Sequence, residues 1–131
     1  IVSKKRDHIE LGNLDSKRDW GHAKDYVHGM WLMLQQNKPD DFVLATGETY
    51  TVRKFVEKAF AYKGLHIKWK GSGEKEIGVD QQNITRVKIN SKYYRPCEVD
   101  LLLGDATKAE KELEWKREFD TLDSLIEDMF R

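Results

Sequence analysis

The chain has 131 residues, with 23 Lys and Arg against 23 Asp and Glu, so its formal charge is zero. That length suits one domain with a real hydrophobic core, and the balance of charge excludes the broad basic surface of a non-specific nucleic-acid binder. No apolar run approaches the ~20 residues that span a bilayer, and the opening Ile1-Val2-Ser3-Lys4-Lys5-Arg6-Asp7 turns charged at once, unlike a signal peptide.

Residues 1–8 are polar and basic and read as a frayed helix end or a linker. Ile9-Glu10-Leu11 predicts a very short strand running into Gly12. A helix is expected from Ala23, with Tyr26, Val27, Met30, Trp31 and Leu34 spaced by three and four along one buried face. Pro39 ends it and biases Lys38 away from helix. Phe42-Val43-Leu44-Ala45 is a continuous apolar run between turn residues, the pattern of a strand buried on both faces.

Thr51 is the expected N-cap of a second helix burying Val52, Phe55, Val56, Ala59 and Phe60, with Gly64 just past its end. Ile67-Lys68-Trp69-Lys70 alternates like a strand with one wet face. Residues 71–83 read as a polar loop or hairpin tip, and Val87-Lys88-Ile89 as another short strand. Tyr93-Tyr94-Arg95-Pro96 is too aromatic for a neutral linker and too Pro-broken for a helix. A helix is expected from Thr107 to Trp115, with Ala109 and Leu113 inward. Thr121 caps a last one burying Leu122, Leu125, Ile126 and Met129.

One feature does not suit a free-standing domain. Two amphipathic helices flank a single buried-type strand, Phe42–Ala45, whose edges are costly to leave open. Strands encoded upstream are the simplest neighbours. The first residue, Ile1, agrees with a sequence whose beginning is cut off or left out, or with a processed terminus.

The chemistry concentrates in Leu11-Gly12-Asn13-Leu14-Asp15-Ser16-Lys17-Arg18-Asp19-Trp20-Gly21-His22-Ala23-Lys24-Asp25-Tyr26-Val27. Two glycines that permit close approach bracket Arg18, whose rigid fork of donors suits phosphate oxygens. Asp19 can hold that fork or nearby backbone, and Trp20 supplies a flat apolar body. Arg95 stands in a comparable setting, beside Tyr94 and near Glu98. Two guanidinium groups brought together would hold a diphosphate through charge-assisted bonds of roughly 1.5–3 kcal/mol each; alternatively each makes a structural salt bridge. Asn13 carries the donor and acceptor that a base edge could use, or simply makes a Gly-Asn turn.

Other motifs yield less. The spacing of His22 and His28, and the isolation of His8 and His66, do not match a zinc site. His22 reads as a loop-to-helix structural residue, and Cys97, the single cysteine, as inert. Gly73-Glu74-Lys75-Glu76-Ile77-Gly78 has the first spacing of a P-loop, but Val79-Asp80 replaces the required Lys-Ser/Thr. Gly71-Ser72-Gly73 lacks the third glycine of a dinucleotide fingerprint.

The run from Gly12 to Val27 resembles the corresponding segment of the GDP-mannose 4,6-dehydratases, within the extended short-chain dehydrogenase/reductase family. The resemblance continues through Ala45-Thr46-Gly47-Glu48, Val52-Arg53-Lys54-Phe55-Val56-Glu57, Tyr93-Tyr94-Arg95-Pro96 and Glu98-Val99-Asp100-Leu101-Leu102-Leu103-Gly104-Asp105. It covers almost the whole chain, but only the C-terminal part of the family's. It implies an α/β fold of mixed helices and short strands over residues 1–131, a substrate-binding portion incomplete without an upstream NADP-binding Rossmann sheet.

The implied whole enzyme is a cytoplasmic lyase, a homodimer or homotetramer, that converts GDP-mannose to GDP-4-keto-6-deoxymannose in GDP-fucose synthesis. NADP takes hydride from C4 of the hexose and returns it to C6. The resemblance assigns Arg18 and Arg95 to the diphosphate, Glu98 to the ribose hydroxyls, and Leu11, Gly12 and Asn13 to the base. The family's catalytic residues lie upstream, so no catalytic residue, cofactor contact or metal ligand is expected here. The ligand is GDP-mannose or GDP, with no nucleic acid and no membrane. The alternatives are a related nucleotide-sugar epimerase or reductase, or a non-catalytic interaction module.

Overall fold

The computed structural model describes residue 1, residues 3–95 and residues 99–131. Its elements run β1 (Ile9–Leu11), β2 (Lys17–Arg18), α1 (Ala23–Leu34), β3 (Tyr50–Thr51), α2 (Val52–Tyr62), β4 (Lys68–Lys70), β5 (Ile77–Val79), β6 (Thr85–Ile89), α3 (Thr107–Glu112) and α4 (Leu122–Met129). Length predicts one domain; contacts divide the chain into two compact units, one of residues 1–16 and 51–100, the other of residues 17–50 and 101–131.

The first unit is built on a four-stranded sheet in the order β1-β6-β5-β4. β1 runs parallel to β6, pairing Ile9 with Val87 and Leu11 with Ile89. The other neighbours are antiparallel, and the β5–β6 register slips between Gly78 and Val79. Val87, at the centre of β6, has 0% exposure and contributes a full burial term of ~1.5–3 kcal/mol. The β5–β6 turn is fastened by Asp80, whose buried carboxylate accepts from the Gln82 and Ile84 amides and from Arg86 Nε at 2.8 Å.

The expected α2 forms as read. Thr51 Oγ1 caps it through the Lys54 amide, and Val56 is buried with Val52, Phe55, Ala59 and Phe60 half-buried. At its end Gly64 takes φ +76°, the Leu65 amide donates to the Phe60 carbonyl and the Gly64 amide to that of Ala61, a Schellman closure. The expected loop over residues 71–83 is corrected: it contains a 3-10 turn (Gly73–Lys75) and the strand β5. Ile77 and Val79 alternate around Gly78, too short a pattern to stand out among polar neighbours.

The second unit packs α1 and α3 around Ala45, Ala106, Ala109, Leu113 and Trp115, with Tyr26, Leu32, Met33, Phe42 and Leu44 against them, while α4 buries Leu122, Leu125 and Ile126. The predicted inner face of α1 is corrected. Val27, Met30, Trp31 and Leu34 are exposed, and the buried positions are Asp25 and Gly29. A Cβ on Gly29 would stand 2.6 Å from Leu44 Cδ1 and 3.1 Å from the Trp115 indole nitrogen, so the missing side chain admits both residues. Asp25 accepts the Glu118 and Phe119 amides through its carboxylate, and its carbonyl accepts from Trp115 Nε1 at 2.8 Å.

The start of α1 is tied to α4. His22 Nδ1 accepts from the Lys24 amide as N-cap, its ring stacks on Phe119 at 4.0 Å, and Nε2 lies 3.1 Å from Asp128. With Nδ1 an acceptor, Nε2 carries the proton and donates. The structural reading of His22 therefore holds. α3 ends at Glu112, short of the expected Trp115, because Glu114 takes φ +53°. α4 is capped by Thr121 as expected, but Met129 stays exposed. Phe42–Ala45 forms no ladder: it lies between Gly29 of α1 and Gly104, without a strand partner among the described residues.

Candidate functional site

In the first unit the site grows from the end of β1. The Leu11 carbonyl accepts from the Asn90 amide at 2.8 Å, and Asn90 also donates to Glu10 and caps the 3-10 turn Ser91–Tyr93 through the Lys92 amide. Gly12 meets that turn so closely that a Cβ on it would clash with the Tyr93 carbonyl. The expected base-binding stretch is thus brought against the segment leading to Arg95, which is exposed. Asn13 uses Oδ1 to accept the Asp15 amide at 2.9 Å, a local turn. Its carbonyl-type acceptor is engaged, which leaves its amide group as the part suited to a ligand. Glu98, like Pro96 and Cys97, lies outside the described residues.

In the second unit Arg18 sits on β2, half-buried, with Nη1 donating to the Lys17 carbonyl at 2.8 Å. It lines an open hollow of about 330 Å³ with Asp19, Tyr26, Val43, Ala45, Leu102 and Gly104. Asp19 holds backbone: its carboxylate accepts the Thr46 amide at 2.9 Å, the Gly47 amide at 3.1 Å and the Gly104 amide at 3.5 Å. Trp20 donates its indole N–H to the Tyr50 carbonyl at 3.0 Å. The Arg-Asp-Trp triplet therefore splits its work: Asp19 knits the wall of the hollow that Arg18 lines, and Trp20 ties the segment to the backbone at Tyr50. Tyr26 crosses the hollow, and burial first, then the Asp19 carboxylate, push its phenol above 10.0.

Neither glycine motif has the strand–turn–helix form that holds a dinucleotide. Residues 71–78 form the 3-10 turn and β5. Among the described residues no group of three metal-ligating side chains occurs, and no helix is long and apolar enough to cross a membrane. Sequence reasoning missed one cluster altogether: Arg53, Trp69 and Glu76, which meets Asp15 of the loop after Asn13. Those positions lie far apart in the chain and carry no shared spacing.

A family model described as GDP-mannose 4,6 dehydratase matches residues 1–129. The chain belongs to that family. Among its dehydratase relatives, the GDP-mannose 4,6 dehydratase of Drosophila melanogaster is 55% identical over 132 residues, covering 100% of this chain and 33% of the relative. That of Homo sapiens is 54% identical over 122 residues, covering 92% and 32% respectively. The chain thus spans about a third of the length of the curated relatives it matches.

Solved structures agree on the fold. A UDP-glucose 4-epimerase from Bifidobacterium longum, in complex with NAD+ and UDP, superposes with a TM-score of 0.68 at 22% identity, over 95% of this chain and 34% of that one. RMD from Pseudomonas aeruginosa, complexed with NADPH, gives 0.64 at 15% identity, over 96% and 37%. The dehydratase family chain therefore shares the mixed α/β fold of enzymes that carry a nicotinamide cofactor.

Proposed function

We propose that this chain is the C-terminal, GDP-sugar-binding portion of a GDP-mannose 4,6-dehydratase, which converts GDP-mannose to GDP-4-keto-6-deoxymannose. The family match over residues 1–129 carries the reading. Arg18 and Arg95 bind the diphosphate, Glu98 the ribose, and Leu11, Gly12 and Asn13 the base. Support comes from the close seat of Gly12 on Tyr93, two residues before Arg95, and from the mounting of Arg18 on the wall that Asp19 knits together.

The residues present do not suit NADP, because neither glycine motif between Gly71 and Gly78 leads from a strand into an α-helix: they connect β4 through a 3-10 turn to β5. The cofactor and the catalytic groups belong to the other two-thirds of the protein, a Rossmann part. Phe42–Ala45, without a strand partner among the described residues, supports this division. The role of the present chain is grip: it holds the nucleotide diphosphate and orients the hexose, and positioning of that kind supplies several kcal/mol of a barrier. The whole enzyme is a cytoplasmic homo-oligomer; the single cysteine agrees with a reducing compartment.

The test is Arg18→Met in the full-length protein. Loss of a charge-assisted fork is expected to raise KM for GDP-mannose on the order of tenfold or more, with NADP affinity unchanged. An unaltered KM would overturn the assignment.

A further inference from the structure

We propose that Arg53 is a positioning residue: it fixes the loop from Gly12 to Ser16 against the start of α2 and so sets where Gly12 and Asn13 meet the nucleotide. This rests on the nucleotide-sugar reading and names a residue which that reading leaves out.

Arg53 is the second residue of α2. Its guanidinium forks onto the Glu76 carboxylate, and Nη2 also reaches Asp15 Oδ1 at 3.1 Å. The guanidinium carbon lies 4.8 Å from the centre of the Trp69 ring. Trp69 is held in turn, its indole N–H donating at 2.8 Å to Glu57, one helical turn along α2. The guanidinium is therefore held by Glu76 and Trp69 before it touches the loop, which suits a rigid fork better than a lysine.

The loop is tied at the same place by its backbone. The first amides of a helix have no partner within it. Here the Val52 amide donates to the Ser16 carbonyl at 3.1 Å and the Arg53 amide to the Leu14 carbonyl at 2.9 Å. Asp15, between those two carbonyls, supplies the side-chain tie, and its own amide donates to Asn13 Oδ1. Force applied at Arg53 is thus passed through Asp15 to the side chain of Asn13 in two bonds.

The exposures of the partners separate positioning from stability. The Asp15 side chain is 78% exposed, and those of Arg53 and Glu76 are 23% and 14% exposed. Removing Asp15's charge loosens the side-chain tie while the two backbone bonds stay, and costs folding little. Removing Arg53 strands the enclosed Glu76 as well.

The experiment uses full-length Asp15→Asn, Arg53→Lys and Arg53→Met, with Arg18→Met as reference. KM for GDP-mannose is expected to rise several-fold in Asp15→Asn at unchanged melting temperature and nearly unchanged kcat. Arg53→Lys, which keeps a point charge but not the fork, should rise comparably, and Arg53→Met most, on the order of tenfold or more. If Asp15→Asn and Arg53→Lys keep the wild-type KM while Arg18→Met raises it, the role of Arg53 is overturned and the nucleotide-sugar reading stands. If Arg18→Met also leaves KM unchanged, both fall. A lowered melting temperature with KM intact would make Arg53 purely structural and likewise overturn the proposal.

Discussion

A Cβ placed on Gly12 would stand 2.4 Å from the carbonyl oxygen of Tyr93. The obstacle is backbone, which cannot swing aside as a flexible side chain would. Gly12→Ala must therefore push the end of β1 away from the Ser91–Tyr93 turn, straining the Leu11–Asn90 bond beside it. The expected cost is about 1–3 kcal/mol, the range for overpacking. Denaturant unfolding of Gly12→Ala checks it, and a stability equal to wild type would show that the two segments can separate freely.

Asp19 makes a second, independent prediction. One carboxylate gathers amides from Thr46, Gly47 and Gly104. Asp19→Ala leaves those amides to find water, at an expected cost of about 1–3 kcal/mol. Amide exchange should quicken at Thr46 and Gly47 first, before the helices around them. Exchange unchanged at both positions would remove Asp19 as the fastener of the hollow.

These two residues also show what the sequence reveals and what it hides. Gly12 and Asp19 stand out as special on reading, because a glycine before a polar turn and an acid beside an arginine both need a reason. What each touches, Tyr93 and Gly104, lies roughly eighty residues away. Such long-range partners leave no local spacing. Caps behave differently: Thr51 and Thr121 act within three residues, so their helices are placed correctly from sequence. The face of α1 fails for a third reason. Apolar residues occupy both sides of that helix, and periodicity cannot say which side the chain itself covers. The choice falls to Gly29, whose missing side chain admits Leu44 and Trp115.

Asp80 gives a pH dependence of defined sign. Burial alone would raise its pKa, but Arg86 and the Ile84 and Gln82 amides outweigh that and hold it below 3.8. A carboxyl with a depressed folded-state pKa adds stability that is complete above the unfolded value and lost as pH falls through the folded one. The stability gap between wild type and Asp80→Asn should thus be constant from neutral pH down to about 4 and shrink below it. Urea midpoints measured for both proteins across that span test it. A gap that stays constant at lower pH would mean the carboxylate is not what fastens the β5–β6 turn.

Phe42–Ala45 supports the last prediction, because it has the surroundings of a central strand without the pairing of one. Leu44 packs toward α1 at Gly29, while a Cβ on Gly104 would lie 2.3 Å from Ala45 Cβ and 3.4 Å from Val43 Cγ1. Layers on alternate faces are what a strand of a parallel sheet receives from its crossover helices. Yet its backbone has no ladder partner among the described residues, and the nearby α1 turns out Val27 at 62%, Met30 at 55%, Trp31 at 55% and Leu34 at 81% exposure. Open strand edges and apolar helix faces are each costly alone, and one added sheet would satisfy both. In the full-length protein the amides of residues 43–45 should exchange about a hundredfold or more slowly than unprotected ones, and Trp31 should resist quenching by acrylamide. Both effects should be independent of protein concentration if the covering sheet belongs to the same full-length chain. Protection that vanishes on dilution would assign the cover to a second copy, and fast exchange at every concentration would leave the strand without a sheet.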